Sequence, residues 1–167
     1  FDLKNERIAD KFEKIYNQEV KSAYNYIPRS GRYFDYFEKV FAKYGVPDDA
    51  KYLAVAESQL SYLAQSHCGA MGIWQFMKGT ATGFGMRVDE FVDQRRDVFL
   101  ATEAAAQLLK NNYKFLQKRG VEDWLLAFCG YNAGIGNVNK VIREQGGKTF
   151  FDLIMGVDET NRYVWKA

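Results

Sequence analysis

Three short segments of this 167-residue chain hold residue types that packing alone does not demand. The first is Ala54-Val55-Ala56-Glu57-Ser58-Gln59. Glu57 follows a small, apolar run of Leu53, Ala54 and Ala56, and a carboxyl beside such a surface is partly desolvated. Desolvation disfavours the charged form and raises a carboxyl pKa, which suits a general acid near neutral pH. The second is Gly69-Ala70-Met71-Gly72-Ile73-Trp74-Gln75-Phe76-Met77. Its glycines permit close backbone approach, and Gln75 offers an amide able to read hydroxyl or acetamido groups. The third is Gly130-Tyr131-Asn132-Ala133-Gly134-Ile135-Gly136-Asn137. A Tyr-Asn pair flanked by glycines, after an apolar helix, fits a loop that presents hydrogen-bonding groups from a rigid base. Each segment has a plainer reading: a solvated Glu near a helix end, a buried turn, a glycine-rich helix–helix connection. Singly, the plainer readings win; their order and spacing together point to one site.

The elements that must position these groups are helical almost throughout. Ile8, Phe12, Ile15 and Val20 lie near one stripe in residues 5–25, with Lys and Glu between them. Ile27-Pro28-Arg29-Ser30-Gly31 is expected to break that helix. Tyr33, Phe34, Phe37, Val40, Phe41 and Tyr44 mark a second helix, which Gly45 can cap. Pro47-Asp48-Asp49 reads as the start of a third, ending near Leu60, with Glu57 in its last turns. Residues 61–70 read as loop and Gly72 to Ala81 as a short helix. Asp97 can cap a long Ala-rich helix reaching Gly120. A buried piece from Trp124 to Phe128 follows, then a helix capped by Asn137 and stopped by Gly146-Gly147, and one or two short helices in the tail. With no β-alternation and no repeat, the fold class is all-α. Residues 1–45 are expected to pack as a helical segment on a catalytic core of 46–167, the two forming one unit.

Composition narrows the function classes. Lys and Arg total 23 against 21 Asp and Glu, so no strong field points to nucleic acid. A single His and the lack of CxxC or HExxH spacing argue against a metal site; neither metal nor cofactor is expected. No run approaches the ~20 apolar residues of a membrane span. The opening FDLKNERIAD is not a leader, so any signal or lipid anchor is expected to lie outside these residues. The aromatic content, with 11 Tyr, 13 Phe and 3 Trp, suits a ring-rich core first and a sugar-stacking groove second.

Taken together, the ES pair, the G-x-W-Q segment and YNAG resemble the three motifs of the family 1 lytic transglycosylases, most closely the membrane-bound murein transglycosylase D type. Further likeness lies in Arg95-Arg96-Asp97 with Ala101 to Ala106, in the upstream Arg-Ser-Gly-Arg-Tyr-Phe and Tyr-Gly-Val-Pro, and in Asp158 to Val164. The resemblance implies a goose-type, lysozyme-like helical domain with a substrate groove that cleaves peptidoglycan glycan strands. Glu57 matches the catalytic acid/base, and Ser66 a serine that helps to position the sugar. Gln75 matches a substrate-binding Gln, Tyr131 a Tyr that hydrogen-bonds near the catalytic carboxyl, and Asn132 its partner in the groove. Gln59, His67-Cys68 and Lys78 depart from the usual pattern without touching the acid.

The implied reaction leaves a 1,6-anhydro-muramoyl end and needs one carboxyl. Ordinary glycosidases use two. The chain has no Asp or Glu between Ser58 and Val88, although Asp89, Asp93 or Glu103 could be brought in by folding. A goose-type lysozyme using water is the first rival, and a non-catalytic cell-wall tether the second. A peptidoglycan substrate places the enzyme in the periplasm or on the outer membrane facing it, and the chain is expected to be a monomer. Cys68 and Cys129 flank the second and third motifs, so they are either a disulfide beside the groove or two free thiols.

Overall fold

A computed structural model describes residues 6–153 and 163–164. Among these residues there are helices and isolated bridges but no strand. Helix α1 runs from Glu6 to Tyr44, straight through the segment expected to break it, with Pro28 inside. Pro28 has no N–H to give the carbonyl one turn back, a loss of ~3 kcal/mol in a helix interior. Contacts beyond the proline offset it. Phe37 and Phe41 are fully buried, Tyr33 stacks on Phe37, and Arg29 donates to the Gln59 carbonyl at 3.0 Å. Helices in proteins are held chiefly by such packing, which local propensity does not register.

Gly45 ends α1 at φ 68°, and Pro47 leads through a 3-10 turn, Asp48–Ala50, into α2, Lys51–Ser58. Helix α2 carries Leu53, Ala54 and Val55 into the core and stops in two left-handed residues, Gln59 and Leu60. The expected helix at 72–81 is instead a run of turns followed by α3, Lys78–Gly83. The reason is steric. Gly72 sits at φ 83°, and a Cβ there would lie 1.9 Å from the Arg95 carbonyl oxygen. Asp97 caps α4, Val98–Gln117, by accepting from the backbone N–H groups of Phe99 and Leu100. Helix α5, Trp124–Ala133, is capped likewise by Asp123, and α6, Ile135–Gln145, ends at Gly146 in the left-handed region. The Tyr131-Asn132 pair therefore stands on the last turn of α5 rather than in a loop. Asn137 lies inside α6, where its Nδ2 donates to the Ala133 carbonyl at 2.8 Å.

Helices α4, α5 and α6 pack in sequence, and α1 and α2 close the other side. Trp74 sits at the centre, fully buried, with its ring centroid 5.1 Å from Phe37 and 5.7 Å from Phe41. Its Nε1 donates to Thr102 Oγ1 at 2.9 Å, so the turn segment is fixed to α4 by the one polar edge of a buried ring. A single core thus supports both α1 and the segment carrying the second motif. The tail expected to hold short helices shows a 3-10 turn, Phe150–Asp152, and helical Tyr163 and Val164; the rest of it lies outside the described residues.

Candidate active site

A cleft of about 580 Å³ opens between the end of α2, the 64–77 turns, α4 and the junction of α5 with α6. Glu57, Ser66, Gln75, Tyr131 and Asn132 all line it. Five residues from three separate segments are thereby brought to one surface.

Each is held by identifiable contacts. Glu57 is half-buried in the last turn of α2, and the neighbouring Ser58 ties that turn across the cleft floor by donating to the Ile73 carbonyl at 2.7 Å. Ser66 Oγ accepts from the Ala70 N–H at 3.0 Å and closes the loop at the cleft edge. Gln75 sits at φ 50°, and its Nε2 donates to the carbonyls of Gly72 and Ala64, at 2.8 and 3.1 Å. That amide nitrogen is spent on the loop's own backbone, so what Gln75 does locally is shape the cleft wall. Asn132 is exposed on the rim.

Tyr131 departs from the expectation of a bond to the acid. Its hydroxyl donates to the Trp74 carbonyl at 2.7 Å, while its ring stays partly open to the cleft. Burial of the hydroxyl, then the nearby charge of Glu57, hold the phenol pKa well above its ordinary value. A second phenol was not foreseen as a site residue. Tyr163 is buried beside Glu57, and its pKa is raised well above the ordinary value by burial first, then by the Glu57 charge and a side-chain contact with it. No partner among the described residues meets the Tyr163 hydroxyl at ordinary hydrogen-bond geometry. Both phenols stay protonated, and Tyr163 has a proton to offer the carboxylate. Only its place in the Asp158–Val164 likeness marked it in the sequence.

Two further residues escaped the sequence reading. Asn112 is buried in α4, lines the cleft and donates through Nδ2 to the Ala127 carbonyl at 3.2 Å. A polar residue on the apolar stripe of α4 was the available signal. Arg95, only 7% exposed, donates to the Gly69 and Phe76 carbonyls at 2.8 and 3.1 Å and is held by both oxygens of Asp93. It fastens the cleft loop from behind. In the sequence it stood in a polar stretch with no sign of burial.

The carboxylates that folding could have brought in lie elsewhere. Asp93 is taken up by Arg95, Asp89 pairs with Arg87 on the surface, and Glu103 pairs with Lys43. Glu57 is the one carboxylate among the described residues lining the cleft. The two cysteines are both free, Cys68 exposed at the cleft and Cys129 buried. The reason is helical: Tyr131 faces the cleft, and a residue two positions earlier is rotated by about 200°. Cys129 therefore points into the core, where desolvation pushes its thiol pKa up to about 12.

The cleft is set in an all-helical domain, and comparison with known proteins shows the family of that domain. Residues 35–154 match the profile of the Transglycosylase SLT domain, and the chain belongs to that family. It is 30% identical, over 97% of its own length, to the membrane-bound lytic murein transglycosylase D of Escherichia coli (strain K12), and covers 35% of that protein. The chain therefore spans about a third of the length of the curated relative it matches. The crystal structure of the 70 kDa soluble lytic transglycosylase of Escherichia coli superposes at a TM-score of 0.67, with 25% identity over 80% of this chain and 22% of that one. An inactive mutant of the lytic transglycosylase Slt from Pseudomonas aeruginosa superposes at 0.63, with 24% identity over 78% of this chain and 22% of that one. The all-α, lysozyme-like fold is shared with these proteins.

Proposed function

We propose that this chain is a peptidoglycan lytic transglycosylase acting as a monomer, with Glu57 as its single acid/base. The observation that carries the proposal is that Glu57 has no second carboxylate across the cleft among the described residues lining it. Glycosidases that use water or a covalent intermediate place two carboxyls ~5–9.5 Å apart. One cleft carboxylate among the described residues suits a reaction in which the substrate supplies its own nucleophile.

Protonated Glu57 donates to the oxygen joining N-acetylmuramic acid to N-acetylglucosamine, and that bond breaks. The muramoyl acetamido oxygen stabilises the cation at C1, as in substrate-assisted glycosidases. The Glu57 carboxylate then takes the proton from the C6 hydroxyl of the same ring, whose oxygen closes on C1. Glu57 ends protonated, ready for the next strand, and the product ends in 1,6-anhydro-muramic acid. The Tyr163 hydroxyl donates to Glu57 in its carboxylate form. Ser66, Gln75, Tyr131 and Asn132 shape the groove that holds the strand. Its site of action is the cell wall, in the periplasm or at the outer membrane, in keeping with the murein-directed, membrane-bound relative. Residues 46–167 form the catalytic unit onto which residues 1–45 pack.

Glu57→Gln keeps the shape of the side chain but has no acidic proton, so cleavage of purified sacculi should fall by ~10²–10⁴ or more. Near-normal cleavage by that variant rules out the assignment of the acid. Mass spectrometry of the products separates the classes: anhydro ends support a transglycosylase, and reducing ends make the enzyme a lysozyme.

A further inference from the structure

The outer seam between α1 and α4, on the far side of the domain from the cleft, carries five basic side chains. Arg32, Lys39 and Lys43 are seven and four residues apart on α1, which puts them on one face. Lys110 and Lys114 continue the α4 line that begins at Phe99 and Glu103. The two lines form one surface. Tyr36 packs edge-on against Phe99 at 4.9 Å, Lys43 pairs with Glu103, and Lys43 and Lys110 both sit over the Tyr44 ring, at 5.1 and 5.7 Å. Three carboxylates border this surface: Glu103 is engaged by Lys43, Asp97 by the start of α4, and the exposed Asp35 stands one turn from both Arg32 and Lys39. Beside the cations stand large apolar side chains with no cover: Phe99 is 63% exposed and Leu100 41%.

The direction of this face follows from helix geometry. Leu108 and Asn112 of α4 line the cleft. Lys110 and Lys114 come two residues after each, a rotation of about 200°. The basic face and the cleft therefore look out of opposite sides of the same helix.

We propose that this face docks the domain on an anionic phospholipid surface, with the cleft turned away from the bilayer. A cluster of Lys and Arg attracts anionic headgroups, and Phe99 and Leu100 suit the headgroup–acyl boundary, which takes both kinds of side chain. An anionic polymer without apolar groups would engage the cations and leave Phe99 and Leu100 without a role.

The test is co-sedimentation of the whole chain with phosphatidylcholine vesicles with and without phosphatidylglycerol, compared with its binding to purified sacculi. Phosphatidylglycerol should raise the bound fraction at least about tenfold, and molar salt should remove the gain. Lys110→Glu with Lys114→Glu should abolish that gain. The charge-matched control Lys140→Glu with Arg143→Glu, on α6, should keep it. Circular dichroism melts of both double variants check folding, and Phe99→Ala provides a second probe that leaves the charge untouched and should weaken vesicle binding several-fold. Equal binding to both vesicle types, or equal losses in the two double variants, overturns the proposal. Loss of binding to sacculi with vesicle binding unchanged also overturns it and assigns the face to the wall polymer.

Discussion

Glu57 lies near two phenols that are anchored in different ways, and their contributions are separable. Tyr131 gives its proton to the Trp74 carbonyl, so Tyr131→Phe leaves a buried acceptor unpaired. An unsatisfied group of that kind costs about 1–3 kcal/mol. For a chain of this size each kcal/mol lowers the melting temperature by ~2–4 °C, so Tyr131→Phe should show first in thermal melts. Tyr163 has no such anchor, and its hydroxyl faces the acid. Tyr163→Phe should lower kcat more than it raises KM and shift the pH–rate profile, because a donor beside the proposed acid is lost. A drop in melting temperature alone for Tyr163→Phe, with an unmoved pH profile, would reduce that residue to packing.

Among the elements, the 64–77 turns decide the shape of the cleft, and Arg95 holds them through Gly69 and Phe76. The Asp93 carboxyl is kept below its ordinary pKa chiefly by the Arg95 hydrogen bonds. A carboxyl with a depressed folded pKa contributes stability that is full well above its unfolded value, here 3.8, and is lost as pH falls through the folded one. Asp93→Asn should therefore cost roughly 1–3 kcal/mol at neutral pH, toward the low end because water reaches the carboxylate. The difference from wild type should shrink below about pH 4. Urea melts at several pH values measure it, and a penalty that stays constant down to pH 3 removes Asp93 as the source.

For the whole molecule, one core joins α1 to the cleft segment, and α1 is divided by its packing rather than by its helicity. Phe37 is fully buried against Trp74, whereas Tyr24, 84% exposed, meets little. Phe37→Ala should destabilise the chain by about 3–5 kcal/mol and lower glycan cleavage at physiological temperature through the shared core. Tyr24→Ala should stay within about 0.5 kcal/mol. Equal effects in chemical denaturation would mean that α1 is seated differently on the domain.

Read alone, the sequence determined what local physics controls. Apolar periodicity dictated an all-helical chain, Asp97 and the glycines at 45 and 146 set helix ends, and three short segments held the groups that now line one cleft. Those signals act within a turn or two, so they survive in one dimension. Tertiary structure decided the rest. It carried α1 through Pro28, turned Gln75's amide onto its own loop, gave the Tyr131 proton to a carbonyl 57 residues away and set Tyr163 beside Glu57. It also buried Arg95 and sent Cys129 and Tyr131 to opposite sides of α5. Each outcome depends on which groups are left to satisfy one another once water is excluded, and no spacing along the chain encodes that.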